Sequence, residues 1–113
     1  MNGKDFQKIV DASKARIDNS ISTKNKEYAS SEDKLSNFKD VGLIKGETPE
    51  KSLWGMWVKH IASLKAIVLD LDEGILPSEK LLDEKAKDNI NYTILLEALI
   101  HERRQGGTDG DRS

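Results

Sequence analysis

Thr48-Pro49-Glu50-Lys51-Ser52-Leu53-Trp54-Gly55-Met56-Trp57-Val58-Lys59-His60-Ile61, running on through Leu64, Ile67, Val68 and Leu71, is the stretch that decides the fold. Threonine before proline before glutamate is a helix start. The hydroxyl can accept from an unpaired first-turn N–H, and proline loses nothing where no intrahelical bond is made. From there Leu53, Trp54, Trp57, Val58, Ile61, Leu64, Ile67, Val68 and Leu71 recur at the helical period. They form the widest apolar face in the chain, which predicts the core helix. Gly74 and Pro77 stop it.

Downstream, Ser78 is placed to cap a fourth helical segment with Leu81, Leu82, Ile90, Ile94, Leu95, Ala98 and Leu99 turned inward and Asn91 on or beside that face. Upstream, a first segment runs from about Asp5 to Tyr28. Phe6, Val10, Ile17, Ile21 and Tyr28 recur there near a spacing of ~3.5, with Ser13 and Lys24 at the intervening positions. So narrow a stripe suits a helix laid across a partner. At ~1.5 Å per residue this helix is roughly 35 Å long, which is long for so small a domain. Ala29-Ser30-Ser31 breaks the pattern, and Ser31 can cap a short second helix that carries Leu35, Phe38 and Val41 and ends near Gly46. No stretch reads as a strand and no internal repeat occurs. The expected fold is all-α: a small single domain of about four helices spanning residues 1–104, with a long first helix, oligomerising through helix faces. A Gly-rich tail or loop occupies residues 105–113.

Composition sharpens this picture. A chain of 113 residues makes one domain, and with 36% hydrophobic against 34% charged residues its core is thin. Such a chain gains from burying surface against copies of itself. The net charge of −2 argues against coating duplex nucleic acid through bulk electrostatics. The absence of cysteine excludes a disulfide framework and a thiolate metal site. No apolar run approaches the roughly 18 residues of a membrane span and no signal peptide opens the chain, so a soluble, cytoplasmic protein is expected.

Several polar groups stand in positions that suit a ligand. Arg103-Arg104-Gln105-Gly106-Gly107-Thr108 follows the last helix. Two fork-shaped guanidinium groups, a glycine pair open to close backbone approach and a hydroxyl are phosphate-holding groups. The same stretch also reads as a helix ending at glycine with a loose polar terminus. Asn25 and Tyr28, three apart, can both address a base or ribose edge. Asn91 amid apolar neighbours either fixes helix register or presents its amide to a ligand. Trp54 and Trp57 read as core packing, with Trp54, beside Gly55, the one suited to stack on a base. Lys59-His60 reads as the polar side of its helix, or as a pair that meets an anion at a subunit junction. Carboxylates Asp83, Glu84 and Asp88 alternate with Lys80, Lys85 and Lys87, the pattern of a solvated face. Asp70 and Glu73 have metal-ligand spacing but abut the Gly74 break, so no metal quartet and no catalytic set is expected.

Taken in order, Lys24-Asn25-x-x-Tyr28-Ala29, Leu35-x-x-Phe38-Lys39, Leu53-x-Gly55-Met56-x-x-Lys59-His60 and Glu84-Lys85-x-x-Asp88-x-x-Asn91-Tyr92 lead to a Leu-Leu-x-Ala-Leu-Ile-x-Glu run ending at Glu102. This ordered set resembles small phage proteins distantly grouped with MazG-like and nucleotide-modification-associated sequences. Most closely it resembles the first described family of Thoeris anti-defence sponges, over roughly residues 4 to 110. The resemblance implies a non-catalytic protein, free of cofactor and metal, acting in the cytoplasm of an infected bacterium. Such a protein sequesters cyclic ADP-ribose isomers and, in some members, the cyclic trinucleotides of CBASS immunity. It implies dimers able to assemble into hexamers. It places Asn25, Tyr28, Asp88 and Asn91 around a cyclic ADP-ribose pocket at the dimer interface. Arg103, Arg104, Gly106, Gly107 and Thr108, with Trp54, Lys59 and His60, are candidates for a cyclic-oligonucleotide site. The family's pocket uses an aromatic early in the last helix, where this chain has Leu81-Leu82. Two other readings differ in kind: a magnesium-dependent MazG-like nucleotide pyrophosphohydrolase using Asp83, Glu84 and Asp88, and a helical interaction protein that binds no small ligand.

Overall fold

In the computed structural model, Thr48 Oγ1 accepts the Lys51 N–H at 3.2 Å and opens helix α3. The structure describes residues 1–27, 35–107, 110 and 112, with the backbone alone for residues 24–27. Four helices are described: α1 (Gly3–Glu27), α2 (Ser36–Lys45), α3 (Pro49–Asp72) and α4 (Glu79–Gln105). Among the described residues there is no strand, and no helix is long and apolar enough to cross a membrane. Ser78 Oγ accepts the Leu81 N–H at 3.1 Å and opens α4, so both helix starts expected from sequence form. Between them Gly74 turns the chain at φ 77, a conformation glycine adopts at no steric cost.

Helices α3 and α4 form an antiparallel hairpin whose cross-pairs run in opposite senses: Glu50 with Arg103, Trp57 with Asn89, His60 with Asp88. Helix α2 closes one end of it. Gly42 of α2 is buried so tightly that a Cβ there would stand 2.7 Å from the Glu47 carbonyl oxygen. Gly46, at φ 70, ends α2 and lets the chain return to α3, with the Glu47 N–H bonding the Gly42 carbonyl at 2.9 Å. The core lies here: Leu35, Phe38, Leu53 and Leu99 are buried, flanked by Met56, Tyr92, Leu95, Leu96 and Ala98. At about 1.5–3 kcal/mol per fully buried large apolar side chain, this small cluster is the main apolar stabilisation of the fold. Ser52, also buried, donates to Glu47 Oε1 at 3.0 Å, and an ion pair between Lys39 and Glu102 ties α2 to α4.

Among the described residues, helix α1 packs on α4 and on no other helix. Its first turn is capped by Asn2, whose Oδ1 accepts the Asp5 N–H at 2.8 Å, so it begins slightly before the expected Asp5. Val10, Ser13, Ile17 and Ile21 are half-buried, the narrow stripe expected of it, whereas Phe6 is 59% exposed. Ser31, the expected cap of the second helix, and Tyr28 lie outside the described residues. Leu35 occupies the N-cap position of α2 without a side-chain cap bond.

One expectation is corrected. The broad face of α3 is a core face only over its first turns. Leu53 is fully buried, but Trp54, Val58, Ile61, Val68 and Leu71 are exposed, as are Leu81, Leu82 and Ile94 of α4. The cause is coverage: α2 has only 10 residues and reaches one end of the hairpin, while α1 lies on α4 alone. The radius of gyration is accordingly 17.1 Å, against roughly 13 Å for a compact chain of this length.

Candidate functional site

The groove between α1 and α4 is polar. Along α1, Arg16, Asn19, Ser20 and Thr23 fall at i, i+3, i+4 and i+7 and share one face. Lys87, Asp88 and Asn91 of α4 face them across a cleft of about 450 Å³. Two contacts set its geometry: Arg16 Nη1 lies 3.3 Å from Asp83 Oδ1, and Asn91 Nδ2 donates to Ser20 Oγ at 2.7 Å. The apolar stripe of α1 brings the helices together and the neighbouring polar stripe lines what is left open.

A network from α3 supports the α4 side. Trp57 Nε1 donates to Asn89 Oδ1 at 2.9 Å, and Asn89 Nδ2 donates to the carbonyl oxygens of Lys85 at 2.8 Å and His60 at 3.4 Å. Satisfying both ends of one amide fixes the rotation of α4 against α3. Asp88 is then held from behind: its Oδ2 lies 3.4 Å from His60 Nδ1, and the His60 ring packs 4.9 Å from Tyr92. Tyr92 in turn stacks on Trp57 at 6.3 Å, with 13° between ring planes. Asp88 therefore stands between the histidine and the cleft.

Of the residues expected around the first pocket, Asp88 and Asn91 line this cleft together. The Asn25 side chain and Tyr28 lie outside the described residues; the backbone of Asn25 continues α1 just past Thr23. Arg103 and Gly106 line a second hollow of about 440 Å³ with Lys39, Pro49, Glu50, Leu99 and Glu102. There Arg103 Nη2 bonds Glu50 Oε2 at 2.8 Å. Arg104 is exposed in the last turn of α4 and Gly107 follows at φ 67; Thr108 is outside the described residues. Trp54, Lys59 and His60 are not gathered with this group. Trp54 is 52% exposed and edge-on to Trp57 at 5.5 Å, and Lys59 is exposed. His60 belongs to the Asp88 side, roughly 22 Å along α4 from Arg103.

Sequence inspection missed Arg16, Asn19, Ser20, Thr23, Lys87 and Asn89. The α1 set had a legible signal, a polar run at helical spacing beside the apolar stripe. Asn89 had a weaker one: a tryptophan N–H in a half-buried place needs an acceptor, and the antiparallel register supplies it.

In chemical terms the cleft offers two cations, one carboxylate, two hydroxyls and two amides. Arg16 is shared with Asp83, while Lys87 makes no ion pair among the described residues. Cations beside hydroxyls and amides suit an anionic, hydroxyl-rich molecule such as a sugar phosphate or nucleotide. Among the described residues no group of three histidine or carboxylate side chains converges to hold a metal ion. Asp83 faces Arg16, Asp88 faces His60, and Glu84 is exposed. Comparison of the chain with protein-family models, curated proteins and solved structures gives no match.

Proposed function

We propose that this protein binds and sequesters a cyclic nucleotide signal of the cyclic ADP-ribose type without cleaving it, as the sponge resemblance implies. The observation that carries the proposal is the α1/α4 cleft. It unites Asp88 and Asn91 with Arg16, Ser20 and Lys87 in about 450 Å³, inside the range of roughly 300–1,000 Å³ usual for small-ligand sites. Arg16 and Lys87 take the phosphates, Asp88 accepts from ribose hydroxyls, and Asn91 reads a base edge. A cyclic trinucleotide is proposed for the second group, at Arg103, Arg104 and the glycines. Arg103 already bonds Glu50, so a phosphate there shares the guanidinium with that carboxylate.

A sponge has to bind near nanomolar, about −12 kcal/mol. Each charge-assisted hydrogen bond supplies roughly 1.5–3 kcal/mol, so two cations in one chain fall short. Assembly into dimers and hexamers, which brings further donors to one ligand, is part of this reading.

Isothermal titration with a cyclic ADP-ribose isomer and with a cyclic trinucleotide tests it. Each mixture is then heat-denatured and the released ligand chromatographed. The expected result is tight binding with intact ligand recovered and roughly tenfold or greater weakening in Lys87→Ala. Recovery of cleaved products identifies a hydrolase, and absence of heat with both ligands removes the proposal.

A further inference from the structure

One long side of the α3/α4 hairpin is apolar at a regular interval. Trp54, Ile61 and Val68 stand seven residues apart on α3 and are 52%, 36% and 58% exposed. Glu50 with Arg103 and Trp57 with Asn89 set the register across the hairpin. Continued both ways, that register brings Ile100 level with Trp54 and Leu82 level with Val68, and these two are 43% and 46% exposed. Helix α1 meets α4 on a different face, through Asp83 and Asn91. A row repeating every seven residues drifts by only ~20° per repeat around a helix, so another helix crossing at a shallow angle can follow it. The interval therefore fits a helix as the occupant of this side.

Charge decides which kind of helix fits. Lys51, Val58 and Lys65 form the neighbouring row on α3, again seven residues apart. From Lys51 to Leu69 the helix carries three lysines and no carboxylate, and among the described residues none of the three makes an ion pair. Glu50, just before them, is given to Arg103. We infer that this side of the hairpin docks an amphipathic helix of another protein. An apolar row of that helix seats on Trp54, Ile61 and Val68, and carboxylates on its flank meet Lys51 and Lys65. Trp54 is the anchor, since a half-exposed tryptophan supplies a large contact area at little conformational cost. The α3 of a second copy is a poor occupant: over this length it brings the same lysines and no acid. The inference is independent of which ligand the α1/α4 cleft holds.

The probe is a labelled synthetic helix of about three heptads, with leucine and isoleucine along its seam and glutamate at the flanking positions. A control peptide carries lysine in place of each glutamate. Fluorescence anisotropy with the full chain should show the glutamate peptide binding at least roughly tenfold tighter than the control. Trp54→Ser should weaken that binding by at least roughly tenfold. The double variant Lys51→Glu, Lys65→Glu changes two exposed side chains and should reverse the preference, so that the lysine peptide binds better. A structural role for these lysines would not produce such a reversal. No binding of the glutamate peptide overturns the inference, as does equal binding of both peptides or a preference that the double variant leaves unchanged. Sedimentation of the chain alone and flotation with anionic vesicles complete the test. Self-association lost in Trp54→Ser assigns the surface to a second copy, and vesicle binding lost in that variant assigns it to a membrane; either result also overturns the inference.

Discussion

The two ends of the α3/α4 hairpin are similar in composition and opposite in fate. At the closed end, Leu53 and Leu99 meet Leu35 and Phe38 of α2 and are 0–7% exposed as a group. At the turn end, Val68, Leu71, Leu81 and Leu82 are as apolar as those core residues and stand 38–58% exposed. What separates them is a third helix. Two crossed helices bury one seam, and only where another element lies on that seam does an apolar side chain lose all of its water. Cover at the closed end depends on Gly42, which allows α2 to approach the Glu47–Pro49 backbone. The turn end has no such element among the described residues.

The contrast can be broken most strongly at Leu53. Leu53→Ala removes a fully buried side chain from the core and should cost about 2–5 kcal/mol, read as a large fall in thermal midpoint by circular dichroism. Gly42→Ala should come next. The new methyl meets backbone rather than a flexible side chain, and a destabilisation of about 1–3 kcal/mol by urea titration is expected. Asn89→Ala takes the acceptor from the Trp57 N–H and should cost about 1–2 kcal/mol, with a change in tryptophan fluorescence marking the altered indole. Ser78→Ala, losing the α4 cap at the turn end, should cost about 1 kcal/mol. Smallest of all, Leu76→Ser should leave monomer stability within about 0.5 kcal/mol in dilute solution. A large loss at Leu76 under those conditions would show that the turn end is covered within a single chain.

Much of the candidate site was legible in part. Asn91 stood out as a polar residue beside an apolar face, Asp88 read as part of a solvated face and was pointed to only by the family resemblance, and both line the α1/α4 cleft. Their partners on α1 did not stand out, because Arg16, Asn19, Ser20 and Thr23 look like any solvated helix face until another helix is laid beside them. His60 was grouped with the C-terminal arginines by residue type, but antiparallel register sets it against Asp88. Of the second, glycine-rich group, Arg103 and Gly106 line a hollow, with Arg103 tied to Glu50 from the start of α3.

What the sequence determined by itself is local. Thr48 and Ser78 cap their helices, Gly46 and Gly74 turn the chain, and the stripe of α1 repeats at the spacing that lays it on a partner. Each of these follows from bonds and contacts within a few residues, so short stretches of chain suffice to specify them. Which end of the hairpin becomes core, and that Asp88 stands between His60 and a cleft, were decided only by tertiary structure. Those outcomes depend on which helix lies over which face. A hydrophobic face identifies itself along the chain, but the element that covers it is chosen by packing between residues far apart in sequence.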